Sequence, residues 1–209
     1  MAKFCVRSVS GVLLFASWVT VTCLSQDQAQ DLCYLFSANA EARVTNLPSL
    51  TAASRDTSSV IATAVEMVLH DQALCCGKDS ALGDTVLSEP RSLKELAGKL
   101  QGRHQLSDGR AIVVNAEYAA QDSISVGTVI GSLQDQRAPL LEWKSHVYVV
   151  QGAVFGETRC QSGMRQYSIV KLLLLDPRFS DQRREAVFNR DTDDLAKVTG
   201  FLTLSVAAQ

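Results

Sequence analysis

One histidine stands where its side chain could take part in chemistry, at the start of a long apolar segment. His146 ends the polar cluster "EWKSH" and is followed by "VYVVQGAVF", which is typical of a buried strand. Because an imidazole titrates near neutral pH, a histidine at this position could act as a general base or acid. The alternative is a structural role at the start of the strand, where a buried polar group needs a hydrogen-bonded partner.

Four cysteines follow the first 25 residues, namely Cys33, Cys75, Cys76 and Cys160. An even number suggests disulfide bonds in an oxidising compartment, with three possible pairings. A direct bond between the adjacent Cys75 and Cys76 would close a strained ring, so we expect each of them to bond a distant cysteine. No histidine stands at zinc-ligand spacing around them, so we expect neither a metal site nor a cofactor.

The first 25 residues have the three parts of a secretory signal peptide. Lys3 and Arg7 precede the apolar run "GVLLFASWVTVTCL", and the small residue Ser25 precedes the polar "QDQAQD". The run is shorter than the ~20 residues that a membrane span needs, which favours a cleaved leader. We therefore predict a signal peptide at 1–25 and a single domain at 26–209, in a secreted or periplasmic protein without a membrane anchor.

Charge and length limit what the predicted mature chain can do. The chain has 20 basic and 22 acidic residues, and the leader holds two of the basic ones, so 18 against 22 leaves a net charge of −4. A mildly acidic domain lacks the basic face that a nucleic-acid partner requires, so we expect no nucleic-acid binding. The remaining length, about 180 residues, is enough for one domain with a hydrophobic core.

The strongest helical signal is "SRDTSSVIATAVEMVLHDQ". Thr63, Glu66 and His70 form one narrow polar stripe at three- and four-residue spacing, and almost all other positions are apolar. A helix that is apolar nearly all round lies inside a domain, so we predict a buried helix in the amino-terminal half. The residues that can cap its start through their side-chain oxygens are Asp56, Thr57 and Ser58.

The other patterns predict helices in the first half of the chain and strands in the second. We expect a first helix at Asp27–Arg43 and further helices at Ser92–Leu100 and Val126–Gln136. A strand is expected at Arg110–Tyr118, and later strands in the segments "APLLEW", "HVYVVQGAVF", "YSIVKLLLLDP", "REAVFN" and "KVTGFLTLSV". This order predicts an α+β domain with a largely antiparallel sheet.

The order of these parts resembles the papain-like cysteine peptidases, in particular the bacterial branch near the C39 peptidases. The resemblance rests on the buried helix, on "APLLEWKSHVYVVQGA" and on "SIVKLLLLDPR", and covers about residues 57–179. It implies a papain-like fold, in which the buried helix packs on the sheet and Ala138–Trp143 is the strand before the catalytic histidine. It further implies that His146 is that histidine and that Asp176 is the acid that orients it.

The chain departs from this family at the nucleophile. A peptidase of this type has a cysteine at the helix start, where the helix dipole and a neighbouring imidazolium stabilise the thiolate. Matching the family's "EMVL" to Glu66–Leu69 puts that cysteine at Val60, with Ser59 beside it. The family's oxyanion-binding glutamine falls near Ser54 and is absent. Valine cannot attack a carbonyl, and serine is far harder to ionise than cysteine.

The resemblance therefore implies a secreted papain-like protein without peptidase activity, which binds a peptide or protein in the cleft between helix and sheet. One alternative is an active hydrolase that uses His146 and Asp176. Its nucleophile would be Ser59 or one of the Cys75–Cys76 pair, although that pair follows the far end of the buried helix. Another alternative is a structural envelope protein held together by disulfide bonds. If the resemblance holds, the helix start at Val60 faces His146, and Asp176 lies within hydrogen-bonding reach of its imidazole.

Overall fold

Most of the chain beyond the predicted leader is described by a computed structural model. It describes residues 32–71, 90–105, 111–123, 125–179, 183–187 and 197–208. All of them belong to one compact unit, Asp31–Gln209. The predicted signal peptide lies outside the described residues, and so do Cys75 and Cys76. Among the described helices, none has the length and apolar character needed to cross a membrane.

Three α-helices and one eight-stranded sheet make up the described part of the chain. The helices are α1 (Thr57–Asp71), α2 (Leu93–Leu100) and α3 (Val126–Gln134). The strands are β1 (Cys33–Arg43), β2 (Gly102–Gln105), β3 (Ala111–Ala120), β4 (Leu140–Trp143), β5 (His146–Cys160), β6 (Arg165–Leu175), β7 (Arg183–Val187) and β8 (Val198–Ala208). Neighbouring strands within these ranges pair antiparallel, which confirms the predicted α+β class with a largely antiparallel sheet.

Strand β5 connects all parts of the sheet. The strand order is β2-β3-β8-β4-β5-β6-β7, and β1 also pairs with β5. On one edge β5 pairs with β6; on the other, its first residues pair with β4 and its later residues with β1. The close approach of β1 requires a glycine, because a Cβ at Gly152 would lie 2.9 Å from the carbonyl oxygen of Ala42. Because β5 is paired along both edges, its first residues are held in a fixed position relative to the rest of the core.

The predicted helix at Asp27–Arg43 is wrong, because Cys33–Arg43 forms strand β1. The segment "SANAEAR" contains good helix formers, but local propensity is a weak determinant that tertiary pairing overrides. Strand β5 offers an edge of backbone hydrogen-bonding groups, and β1 pairs along it from Cys33 opposite Cys160 to Arg43 opposite Gly152. The pairing continues past the strand, where the N–H of Val44 donates to the carbonyl of Gln151 at 2.8 Å.

A disulfide joins Cys33 on β1 to Cys160 at the end of β5. The expectation that Cys75 and Cys76 would each bond one of these two cysteines is therefore wrong. The physical reason is the register of the sheet, which places Cys33 directly opposite Cys160 on neighbouring strands. The presence of a disulfide bond, as predicted, is confirmed.

Helix α1 is buried as its sequence predicts. The apolar side chains of the helix that are buried are Val60, Ile61, Ala64, Val65, Met67, Val68 and Leu69. Glu66 and His70, from the predicted polar stripe, are exposed. Each large apolar side chain buried in this way contributes about 1.5–3 kcal/mol to folding, so α1 is anchored firmly in the core.

Candidate functional site

A cavity of about 240 Å³ lies where the start of α1 meets the start of β5. Val60 of α1 and His146 of β5 both line it, as do Thr57, Glu142 and Ser145. The structure therefore brings Val60 and His146 together, although they are far apart in the sequence. The arginines that also line the cavity are Arg55, Arg91 and Arg178. We call this cavity the α1–β5 pocket.

The start of α1 is held by a cap that directs Val60 to the pocket. The carboxylate Oδ1 of Asp56 accepts hydrogen bonds from the hydroxyl of Ser58 at 2.6 Å and from the backbone N–H of Ser59 at 2.9 Å. These two hydrogen bonds lower the pKa of Asp56, the Ser58 hydroxyl most of all. Asp56 is therefore the cap among the three predicted candidates, and it satisfies a backbone donor at the helix start.

Ser59, the alternative nucleophile, has a structural contact instead of a place in the pocket. Its Oγ accepts a hydrogen bond from the backbone N–H of Ser54 at 3.2 Å. It does not line the α1–β5 pocket, whereas Val60, the next residue, does. Within the described residues, no cysteine lines the pocket either. At the position of the family's nucleophile, α1 thus presents an isopropyl group, which can form no covalent intermediate, and Thr57, the first residue of the helix, also lines the pocket.

A tight hairpin between β4 and β5 presents His146 to the pocket. Trp143 pairs with His146 across it, so Lys144 and Ser145 form a two-residue turn. Both turn residues have positive φ angles, 51° and 60°, as a type I′ hairpin turn requires. This left-handed conformation costs a residue with a side chain about 1 kcal/mol or more, and such strain is found often at functional sites.

Asp176 contacts arginine side chains, and its role as the partner of His146 stays a prediction. Arg178 donates from Nε to Oδ1 of Asp176 at 2.8 Å and from Nη2 to Oδ2 at 2.7 Å. Arg184 lies 3.3 Å from the same Oδ2. Of the hydrogen bonds between described residues, none joins Asp176 to His146, and Asp176 lines a separate cavity with Phe179. Among the described residues, no carboxylate is hydrogen-bonded to this imidazole.

The pocket disfavours a charged imidazole. His146 is largely exposed, but the desolvation that remains, followed by the positive charge of Arg178, lowers its pKa, and the charge of Asp176 offsets this only in part. Burial also raises the pKa of Glu142, which lines the same pocket. The lowered pKa favours the neutral imidazole, which can accept a hydrogen bond at one ring nitrogen and donate one from the other.

Sequence reasoning missed the arginines of the pocket. Arg178 follows Asp176 by two residues in "DPR", so its closeness to this acid could have indicated it as a site residue. Arg91 precedes α2, where its backbone N–H donates to Oε2 of Glu95 at 3.1 Å. Arg55 precedes α1, with its guanidinium 5.0 Å from the ring centre of Phe179. Neither Arg55 nor Arg91 belongs to a motif, because only the tertiary fold brings these segments to one cavity.

A larger groove lies elsewhere on the sheet. It measures about 360 Å³, and its charged lining residues are Glu117, Asp135 and Arg137. It contains none of the residues that the sequence singles out for chemistry. Throughout the described ranges, no group of three or more histidine, cysteine, aspartate or glutamate side chains could hold a metal ion. The α1–β5 pocket is therefore the better candidate site.

Comparison of the chain with family models, with curated proteins and with solved structures found no match in any of the three. The resemblance to papain-like peptidases accordingly rests on three sequence segments and their order along the chain. The geometry of the α1–β5 pocket bears on function independently of that resemblance.

Proposed function

We propose that this protein is a secreted, catalytically inactive relative of the papain-like peptidases that binds a segment of a peptide or protein. The observation that carries the proposal is that Val60 and His146 line one pocket. In a peptidase of this type, the nucleophile and its histidine face each other across such a cleft. Here the position of the nucleophile is apolar, so the pocket can hold a chain without attacking it.

The electrostatics of the pocket also favour binding over hydrolysis. A working histidine needs a nearby group to deprotonate and an acid to orient it. At the position of the family's nucleophile Val60 offers no proton, and Asp176 is hydrogen-bonded to Arg178. An active hydrolase that uses His146, Asp176 and Ser59 would need a hydrogen bond between Asp176 and His146 and another between Ser59 and His146. Neither occurs among the described residues. The disulfide between Cys33 and Cys160 suits an oxidising compartment, whether the protein binds a partner or has a structural role.

Two measurements on the purified chain test this proposal. Hydrolysis of a fluorescently labelled unstructured protein should be undetectable. Selection from a library of random hexapeptides should enrich peptides that bind the protein. Thr57→Trp fills the pocket from an exposed position, and Glu66→Trp adds the same bulk on an exposed part of α1 outside the pocket. We expect the selected peptides to bind wild type and Glu66→Trp equally, and Thr57→Trp at least about tenfold more weakly, equivalent to a loss of ~1.4 kcal/mol.

Two outcomes would contradict the proposal. One is hydrolysis by the wild type that His146→Ala or Ser59→Ala abolishes, which would identify a working enzyme. The other is peptide binding that Thr57→Trp leaves unchanged, which would place the binding surface outside the α1–β5 pocket.

A further inference from the structure

The charged side chains of the α1–β5 pocket are mostly positive. Arg55, Arg91 and Arg178 reach it from three separate segments of the chain, and Glu142 is the one acidic side chain among its described lining residues. Asp176 lies behind Arg178 and compensates one of these charges. The net charge at the pocket therefore stays positive even when His146 is neutral, which attracts an anion.

Hydrogen bonds and packing hold the side chain of Arg178 in place. Its Nε and Nη2 bind Asp176, and Nη2 also donates to the hydroxyl of Tyr148 at 3.2 Å. Its side chain is only 13% exposed, so its orientation is fixed by packing as well as by hydrogen bonds. Arg178 also lines the α1–β5 pocket, and no described residue accepts a hydrogen bond from its Nη1.

Arg55 and Arg91 provide positive charge to the pocket, and the nearest described carboxylate to Arg91 is Glu95, which accepts a hydrogen bond from its backbone N–H. The guanidinium of Arg55 lies over the ring of Phe179, and such stacking leaves its N–H groups at the edge. No described carboxylate lies within 4.0 Å of the guanidinium of Arg55 or Arg91. A bound carboxylate would gain charge-assisted hydrogen bonds from such groups, in the side-on geometry that guanidinium favours.

Resting on the proposed function, we infer that the α1–β5 pocket binds a carboxylate group of its peptide ligand, through Arg55, Arg91 and Arg178. Glu142 in the same pocket disfavours a doubly charged group such as phosphate, because each added negative charge is repelled. Val60 and Val147 provide apolar walls for the side chain next to the carboxylate. The carboxylate is either the carboxyl terminus of the ligand or an acidic side chain, and both have the same chemistry.

Four probes distinguish these sources. They are N-acetyl-trialanine with a free carboxyl terminus, its carboxamide, the carboxamide of N-acetyl-Ala-Asp-Ala, and inorganic phosphate. Nuclear magnetic resonance follows the Nε–H signal of Arg178 and the titration of the His146 ring. A bound carboxylate should raise the pKa of His146, since it offsets the positive charge of Arg178 and Arg184 that Asp176 compensates only in part. Arg55, Arg91 and Glu142 also face this ring across the pocket.

Variants at exposed arginines provide the matched comparison. We expect Arg55→Gln and Arg91→Gln each to weaken binding of the carboxylate probe about tenfold, as the loss of one charge-assisted hydrogen bond predicts. Arg103→Gln, at an exposed position of β2 outside the pocket, should have no effect. Preference for the free carboxyl terminus identifies that terminus as the ligand group, and preference for the aspartate peptide identifies a side chain.

The remaining outcomes overturn the inference. If the trialanine carboxamide binds as tightly as the free acid, the carboxylate assignment is wrong while the proposed peptide-binding function stands. If phosphate binds more tightly than either carboxylate probe, the pocket is a general anion site and the assignment is again wrong. If none of the peptides perturbs a pocket resonance at millimolar concentration, both the inference and the proposed function are contradicted.

Discussion

The guanidinium of Arg178 binds the carboxylate of Asp176 side-on, from Nε to Oδ1 at 2.8 Å and from Nη2 to Oδ2 at 2.7 Å. The backbone N–H of Arg178 adds a hydrogen bond to Oδ1 at 3.1 Å. The Asp176 side chain has no exposed surface. A buried pair of this kind stabilises the fold only while both charges are present, because either charge alone would be left desolvated. Asp176 thus holds the arginine that lines the α1–β5 pocket.

Replacing Asp176 by Asn should lower the free energy of unfolding at neutral pH by about 3–5 kcal/mol, because Arg178 would keep a buried, uncompensated charge. Urea denaturation followed by circular dichroism measures this loss. Asp135→Asn is the matched control, since it breaks an exposed ion pair with Arg137 and should cost about 1 kcal/mol or less. Equal losses in the two variants would contradict a structural role for the buried pair.

The stability of the wild type should also depend on Asp176 at low pH. Burial alone would raise the pKa of Asp176, but hydrogen bonds and positive charge from Arg178 lower it below the usual 3.8. A carboxylate with a lowered folded pKa contributes stability that is complete above its unfolded pKa and is lost as pH falls through the folded pKa. The difference between wild type and Asp176→Asn should therefore be constant near neutral pH and shrink below about pH 4. A constant difference down to pH 2 would be inconsistent with this linkage.

Val60→Cys should produce a thiol that reacts with iodoacetamide near neutral pH. The pocket places it near His146 and Arg178, and positive charge lowers the pKa of a thiol. Val68→Cys, on the same helix but fully buried, is the control and should react far more slowly. Rates come from mass spectrometry of the native protein. Equal rates for the two variants would show that Val60 is not accessible from the pocket.

The same Val60→Cys variant should remain without peptidase activity. The family's oxyanion-binding glutamine is absent near Ser54, and losing one such donor reduces the rate by about 10²–10³-fold. Both carboxylate oxygens of Asp176 accept hydrogen bonds from Arg178, and none of the hydrogen bonds between described residues joins Asp176 to His146. Assays with the labelled unstructured protein would measure any hydrolysis. Efficient turnover by this variant would contradict the geometry described for His146.

The disulfide between Cys33 and Cys160 should contribute about 2–5 kcal/mol to stability, because it closes a long loop in the unfolded chain. Cys160→Ser should lose this amount in urea denaturation, and Cys33→Ser the same. The double variant should lose no more than either single variant, since one bond is removed in each case. Peptide mapping without reduction should recover Cys33 linked to Cys160. Additive losses would mean that the two cysteines bond elsewhere.

Ser145→Gly should stabilise the protein by about 1 kcal/mol, because glycine adopts a positive φ angle without the clash of a Cβ. Ser168→Gly is the control on strand β6 and should destabilise by about 0.5–1 kcal/mol. Thermal and urea unfolding of the two variants provide the comparison. A loss of stability in Ser145→Gly would show that its side chain makes contacts worth more than the strain of the turn.

The sequence by itself determined the elements whose signals are local. The burial of α1 follows from its apolar positions, and its cap is one of the predicted candidates, Asp56, whose Oδ1 accepts a hydrogen bond from the N–H of Ser59 at 2.9 Å. The late strands follow from runs of β-branched and aromatic residues, and together these patterns predict the α+β class. Local periodicity and capping chemistry act over a few residues, so a single sequence carries them in full.

The tertiary structure alone decided the partners of residues distant in the chain. It made Cys33–Arg43 a strand, since the open edge of β5 outweighs helical propensity. It also paired Cys33 with Cys160, and it bound Asp176 to Arg178. These outcomes depend on sheet register and on which side chains share a buried space, and neither quantity is encoded within a short window of sequence. The convergence of three arginines on Val60 and His146 has the same origin, because separate segments meet there only after the sheet has formed.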